Sequence, residues 1–174
     1  MKVFSAVVSL ALLPLTHVLA QDAQPGLETL DATYGYRGTK FETPLSSYKD
    51  LVLAEKAGQT QYYRRTGERK QLGSGEVTDV TYGFYKGRLA VVMLKTTGLA
   101  NSRAMLEALE AQAGPGVRSN PYAQRYSWNA SQVHMSYDEN ALSNDAIVLL
   151  TCKKLKEQEV KQNLRTRQTA PLGK

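Results

Sequence analysis

The stretch "VTYGFYKGRLAVVMLK", Val80 to Lys95, constrains the fold more than any other part of the chain. Val80, Tyr82 and Phe84 recur with a period of two, Thr81, Gly83 and Tyr85 fill the alternate positions, and Lys86-Gly87 supplies a turn before residues 89–94 run back. Side chains of period two leave a strand on opposite faces, so this stretch predicts a β-hairpin with Val80, Tyr82 and Phe84 on one side. A lone hairpin cannot bury such a face in water; the rest of the chain must supply more strands or a covering helix.

It supplies both. Upstream, residues 51–56 and 60–65 flank Ala57-Gly58 and predict another hairpin. Downstream, the period changes in "NSRAMLEALEAQAGPG", where Ala104, Met105, Ala108 and Leu109 fall at helical spacing, Asn101 or Ser102 can cap, and Gly114-Pro115 ends the helix. Then Tyr122, Tyr126 and Trp128 alternate with Ala123, Arg125, Ser127 and Asn129, and Val133, Met135 and Tyr137 alternate with Gln132, His134 and Ser136. Residues 146–152 are apolar on both faces, as in an interior strand of a covered sheet. Nearer the N-terminus, "YGYRGTKFETPLSSY" predicts a short strand at 34–37 and one helical turn at 44–48, with Thr43 as N-cap and Pro44 at the first helical position. Residues 68–75 predict a polar loop. The expected fold is α+β: an antiparallel β-sheet of hairpins and a C-terminal three-stranded meander, with one main helix packed across one face.

The alternation also sorts the two faces. Val80, Tyr82, Phe84, Tyr126, Trp128, Val133 and Met135 are expected beneath Met105 and Leu109, while Thr81, Tyr85, Arg125, Ser127, Gln132, His134 and Ser136 make a wet face. On that face Tyr85, Arg125 and His134 form the candidate ligand-binding set, because a ring beside polar donors makes a recognition surface. The competing expectation is ordinary cross-strand pairing on an exposed face.

The first 20 residues, "MKVFSAVVSLALLPLTHVLA", combine a basic Lys2, an apolar run and small residues before Ala20, and predict a secretory signal peptide. Pro14, Thr16 and His17 interrupt the run that a membrane helix of about 20 apolar residues would need. The expected organisation is a signal peptide at 1–20, a leader at 21–32, one domain at 33–152 and a basic tail at 153–174, with the mature chain secreted or periplasmic and monomeric. Cys152 is the only cysteine, so no internal disulfide can form, and its place at the end of "AIVLLTC" predicts a buried, inert thiol.

Charge is unevenly spread. Residues 21–152 hold 14 Lys/Arg and 14 Asp/Glu, whereas residues 153–174 hold seven Lys/Arg against Glu157 and Glu159. Lys153, Lys154, Lys156, Lys161, Arg165 and Arg167 are the candidate contacts to an anionic envelope surface. A solvated, fraying helix that gives way to disorder is the plainer expectation for the same residues.

Catalytic patterns are sparse. His134 is the single histidine outside the predicted signal peptide, and no G-x-S-x-G elbow surrounds any serine. One His and one Cys on different strands do not make a zinc set, and "YDENALSND" lacks EF-hand spacing. "GSGEVTD" precedes a strand, so no helix N-terminus stands behind it to receive phosphate. Asn129-Ala130-Ser131 is formally an N-glycosylation sequon. No metal, cofactor or specific nucleic-acid motif is expected. The expected function is an exported non-enzymatic binding or accessory domain whose partner is a protein or an anionic envelope component. A small secreted hydrolase using His134 and an inhibitor or immunity-type protein are the alternatives.

The segment "YGYRGTKFETPLSSY", followed by a strand pair and "VTYGFYKGRLAVV", resembles small exported bacterial α+β proteins, mostly of unassigned function. These open with an aromatic-Arg-Gly motif and a helical turn, then place a Tyr-x-Phe strand and a Gly-containing turn before a helix. The resemblance covers residues 34–112 and implies an accessory or binding domain with no catalytic residues to carry over. This chain has Glu42 where a glycine often stands in that pattern.

Overall fold

The computed structural model describes residues 26–169. The predicted signal peptide, the start of the leader and residues 170–174 lie outside them. α1 (Leu27–Thr33) leads into a two-stranded ribbon of β1 (Gly35–Tyr36) and β2 (Thr39–Lys40), followed by a 3-10 turn at Leu45–Ser47. The chain continues through β3 (Leu51–Ala57), β4 (Thr60–Arg65), a second ribbon of β5 (Gln71–Leu72) and β6 (Gly75–Glu76), then β7 (Asp79–Tyr85) and β8 (Arg88–Thr96). α2 (Leu99–Ala113), β9 (Arg125–Asn129), β10 (Val133–Glu139), β11 (Ala146–Cys152) and α3 (Lys153–Thr169) complete it.

The fold is α+β, with an antiparallel seven-stranded sheet in the order β3-β4-β7-β8-β11-β10-β9. β11 returns from the outer hairpin to lie between β8 and β10, which makes it an interior strand of the sheet. One face carries Val80, Tyr82, Val92, Leu94, Trp128, Met135, Tyr137 and Val148, all buried, in one core with Met105 and Leu109 of α2. Trp128 satisfies its indole by donating to the Gly114 carbonyl at 2.8 Å. Tyr82 and Tyr137 keep their rings inside while their hydroxyls donate to Glu68 and Glu139, each at 2.6 Å. Burial, followed by these carboxylate bonds, pushes both phenols well above the usual tyrosine range.

Several segments differ from expectation. Part of the leader is α1, whose Leu30 is buried and whose Asp31 carboxylate accepts the backbone N–H groups of Ser131, Gln132 and Val133 at 2.8, 2.8 and 3.0 Å. The loop at 68–75 contains the β5–β6 ribbon, which lies so close to α2 that a Cβ on Gly73 would stand 2.9 Å from that of Ala108. α2 begins at Leu99, so Ser102 is inside it rather than capping: its hydroxyl, buried, is 2.7 Å from that of Thr96 and donates to the Asn144 carbonyl at 2.7 Å. The strand expected from residue 122 starts at Arg125, leaving Tyr122 exposed. Glu42 has φ 63°, in the left-handed region that favours glycine.

β11 departs most informatively. Its residues alternate between buried and open, leaving Ile147 and Leu149 41% and 37% exposed. α2 covers one face of the sheet; the other remains partly open over β8 and β11.

Candidate ligand-binding trough

The open face follows from the register of β7. With Tyr82 directed into the core, Thr81, Gly83 and Tyr85 must point the other way, and their cross-strand neighbours come with them: Val91 opposite Gly83 and Met93 opposite Thr81 on β8, Tyr62 opposite Gly83 on β4. Beyond β8, Leu149 pairs with Met93 and Thr151 with Val91. This face therefore has an apolar floor of Val91, Met93 and Leu149.

Gly83 sets the depth at the centre. A Cβ there would lie 2.5 Å from Val91 Cγ1 and 2.9 Å from Tyr62 Cε1, so only a residue without a side chain lets the Tyr62 ring settle over the strand. A shift of register in the β7–β8 pairing follows between Gly83 and Phe84. It introduces Ala90 as the extra residue opposite, and Ala90 joins the floor.

α3 closes one end. Leu155 is buried, Thr60 donates to Glu159 Oε1 at 2.8 Å, and the Tyr85 hydroxyl reaches the Gln158 carbonyl at 3.5 Å. β3 and β4 form a side wall through Ala54, Glu55, Ala57, Tyr62 and Arg64. The enclosed trough has a volume of about 430 Å³. From Thr60 to Arg64 it runs about 13 Å, four residues at a strand rise of about 3.3 Å.

Its charged groups are mostly neutralised within the protein. Arg64 donates from Nε and Nη2 to the two oxygens of Asp79 at 2.7 and 2.9 Å, and Thr81 adds a bond of 3.1 Å. The Arg64 bonds lead in holding the Asp79 carboxyl below the usual carboxylate range against its partial burial. At the α3 end Lys156 bonds Glu159 at 2.8 Å. Burial pushes Glu159 up, but the Lys156 and Thr60 hydrogen bonds outweigh it and the net shift is downward. Burial and the nearby Glu159 raise the Tyr62 phenol. Lys95, half-buried on the floor opposite Asp79, makes no ion pair or side-chain hydrogen bond among the described residues, though its charge adds to that of Arg64 in lowering the Asp79 carboxyl.

The structure does not bring Tyr85, Arg125 and His134 together. Tyr85 lies on the face opposite Tyr82 as expected, but its ring is buried, with α3 at its hydroxyl and Lys86 Nζ 5.3 Å from its centroid, so it is no open platform. Arg125 lies four strands away, about 19 Å at a spacing of about 4.8 Å, paired with Asp138 at 2.9 Å and on the row of Asp79 rather than that of Tyr85. His134 is half-buried between Asn129 and Thr151 in register. Burial, then the charge of Lys153, lowers its pKa, and no carboxylate lies at hydrogen-bond distance among the described residues.

The basic residues of α3 divide. Lys153 bonds the Ala130 carbonyl, Lys154 bonds Glu42 Oε2 at 2.6 Å, and Lys156 belongs to the trough. Lys161 stands 3.9 Å from Glu157, and Lys161, Arg165 and Arg167 are exposed. Glu42 is a structural hub: it also accepts the Tyr34 hydroxyl at 2.7 Å, and its carboxyl is held below the usual range first by Lys154 and then by Tyr34. Tyr34 in turn sits 3.3 Å from the buried thiol of Cys152. These contacts tie the start of α3 to the turn after β2.

Sequence reasoning missed Tyr62, Met93, Lys95 and Leu149. The available signal was apolar residues at consecutive positions of β8 and β11, which marks a second apolar face whether or not anything covers it. Among the described residues, no three His, Cys, Asp or Glu side chains converge as a metal set, and no helix is long and apolar enough to cross a membrane. Comparison of the chain with models of protein families, with curated proteins and with solved structures finds no match.

Proposed function

We propose that this protein is an exported, non-enzymatic binding or accessory domain of the cell envelope or extracellular space, and that it binds its ligand in the trough. The single observation that carries this reading is the open apolar strip of Val91, Met93 and Leu149 inside a recess of about 430 Å³. Ligand pockets typically span about 300–1,000 Å³ and combine apolar walls with a few fixed polar groups. Thr60, Arg64, Lys156 and Glu159 meet that description, because their hydrogen bonds hold them in place around the strip. Export is supported by the N-terminal sequence, with its basic residue, apolar run and small residues before the cleavage position.

A neutral naphthylamine fluorophore, whose emission rises in apolar surroundings, tests the site. The purified protein is expected to bind it, and Leu149→Arg is expected to weaken binding by about tenfold or more, since a charged group would stand in the floor. Leu149 is 37% exposed, so the variant should retain its circular dichroism spectrum. Fluorophore binding that is absent, or unchanged in Leu149→Arg, removes the trough as the binding site.

A further inference from the structure

The trough contains more than an apolar strip, and its charges indicate what it would hold. Asp79 is neutralised by the two-pronged Arg64 contact, and Glu159 by Lys156. Two charged lining residues remain without an ion pair among the described residues, Lys95 and Glu55. Glu55 lies on the exposed edge strand β3, where water solvates its carboxylate. Lys95 is half-buried at the end of the floor, two residues along β8 from Met93 and on the same face. Lys95 and Arg64 both act on the single Asp79 carboxylate, whose two oxygens Arg64 already occupies, so the recess pairs an excess of one positive charge at this end with an apolar channel about 13 Å long.

We infer that the trough takes a linear amphiphile with a single carboxylate, its head at Lys95 and its saturated chain along Met93, Val91 and Leu149 toward α3. This rests on the trough being the binding site, as proposed above. A chain of about ten carbons fills the length, taking zigzag C–C bonds of about 1.5 Å. One ammonium matches one carboxylate, whereas phosphate recognition draws on clustered donors, Arg forks or helix N-termini, and the Arg64 fork is already occupied by Asp79. The fit is complementary in both parts: the chain removes Met93 and Leu149 from water, and the head supplies the direct ion pair that Lys95 does not make with Asp79, whose oxygens Arg64 occupies.

Decanoate and decanol, matched in length and differing in charge, test the inference by calorimetry and by displacement of the bound fluorophore at about pH 7, where the carboxylic acid is ionised. Native protein is expected to bind decanoate about tenfold or more tightly than decanol, an increment of about 1.4 kcal/mol. Lys95→Met should bring decanoate down to the level of decanol and leave decanol unchanged, while Lys95→Arg keeps the preference. If Lys95→Met fails to fold, Lys95→Gln serves the same purpose with a polar side chain of similar length. Equal binding of acid and alcohol by the native protein overturns the inference, as does a preference that survives in Lys95→Met or Lys95→Gln. A fluorophore that remains sensitive to Leu149→Arg but is not displaced by decanoate overturns the ligand class alone. Loss of the Leu149→Arg effect overturns the underlying site.

Discussion

Gly83 shows how one position serves both the core and the trough. It occupies the centre of the sheet between Val91 and Tyr62, and a methyl group there would meet both at distances real Cβ atoms do not adopt. Gly83→Ala is therefore expected to destabilise the protein by about 1–3 kcal/mol, as overpacking does, measured by urea denaturation. It should also shift the Tyr62 ring and weaken fluorophore binding. His134 provides a pH signature. Its folded-state pKa is depressed, first by burial and then by Lys153, so the unfolded chain binds the proton more readily. The native state holds this stability above about pH 6.5, the ordinary histidine value, and loses it as the pH falls toward the depressed value. Chemical denaturation across that window should show stability declining on acidification, and His134→Gln should flatten the decline. A His134 acting as a paired catalytic imidazolium would give the opposite slope.

At the scale of elements, α3 decides the character of the second face. Its sequence, rich in Lys, Arg and Gln, reads as a solvated helix, and most of its length is exposed. Yet Leu155 is buried, and Thr60, Tyr85 and Glu42 hold its first turns. Leu155→Ala is expected to cost about 2–4 kcal/mol, to accelerate amide exchange in α3, and to open the closed end of the trough. If α3 were merely a solvated tail, exchange along it would be fast already and the substitution would not change it. The same helix is why Tyr85 is not an open platform: period-two alternation places a ring on a face, but says nothing about which element lies over that face. The helix, the hairpins and the turn at 45–47 were legible because each rests on local signals, namely period and turn residues, although the caps differ: Pro44 rather than Thr43 precedes the turn, and Gly98 rather than Asn101 or Ser102 precedes α2. α1 and the β5–β6 ribbon were not, because short elements with few apolar residues are held by contacts distant in sequence, as when Asp31 caps Ser131.

In the whole molecule, one sheet divides two environments. The face under α2 carries the core, and the other carries a recess whose floor comes from β7, β8 and β11 and whose walls come from β3, β4 and α3. Strand order creates this recess: because β11 returns between β8 and β10, Leu149 lies beside Met93, and the two apolar strands form one continuous strip. The amino-acid sequence by itself determined the α+β class, the inward set led by Tyr82 and Trp128, the lone thiol and the concentration of positive charge at 153–174, because these depend on local periodicity and composition. Only the tertiary structure decided that Tyr85, Arg125 and His134 stand apart, that Lys154 and Lys156 are bound to carboxylates, and that Lys95 lies opposite Asp79 at the end of an apolar floor. Alternation fixes the face on which a side chain lies; strand order and the helix laid across that face fix what it meets there.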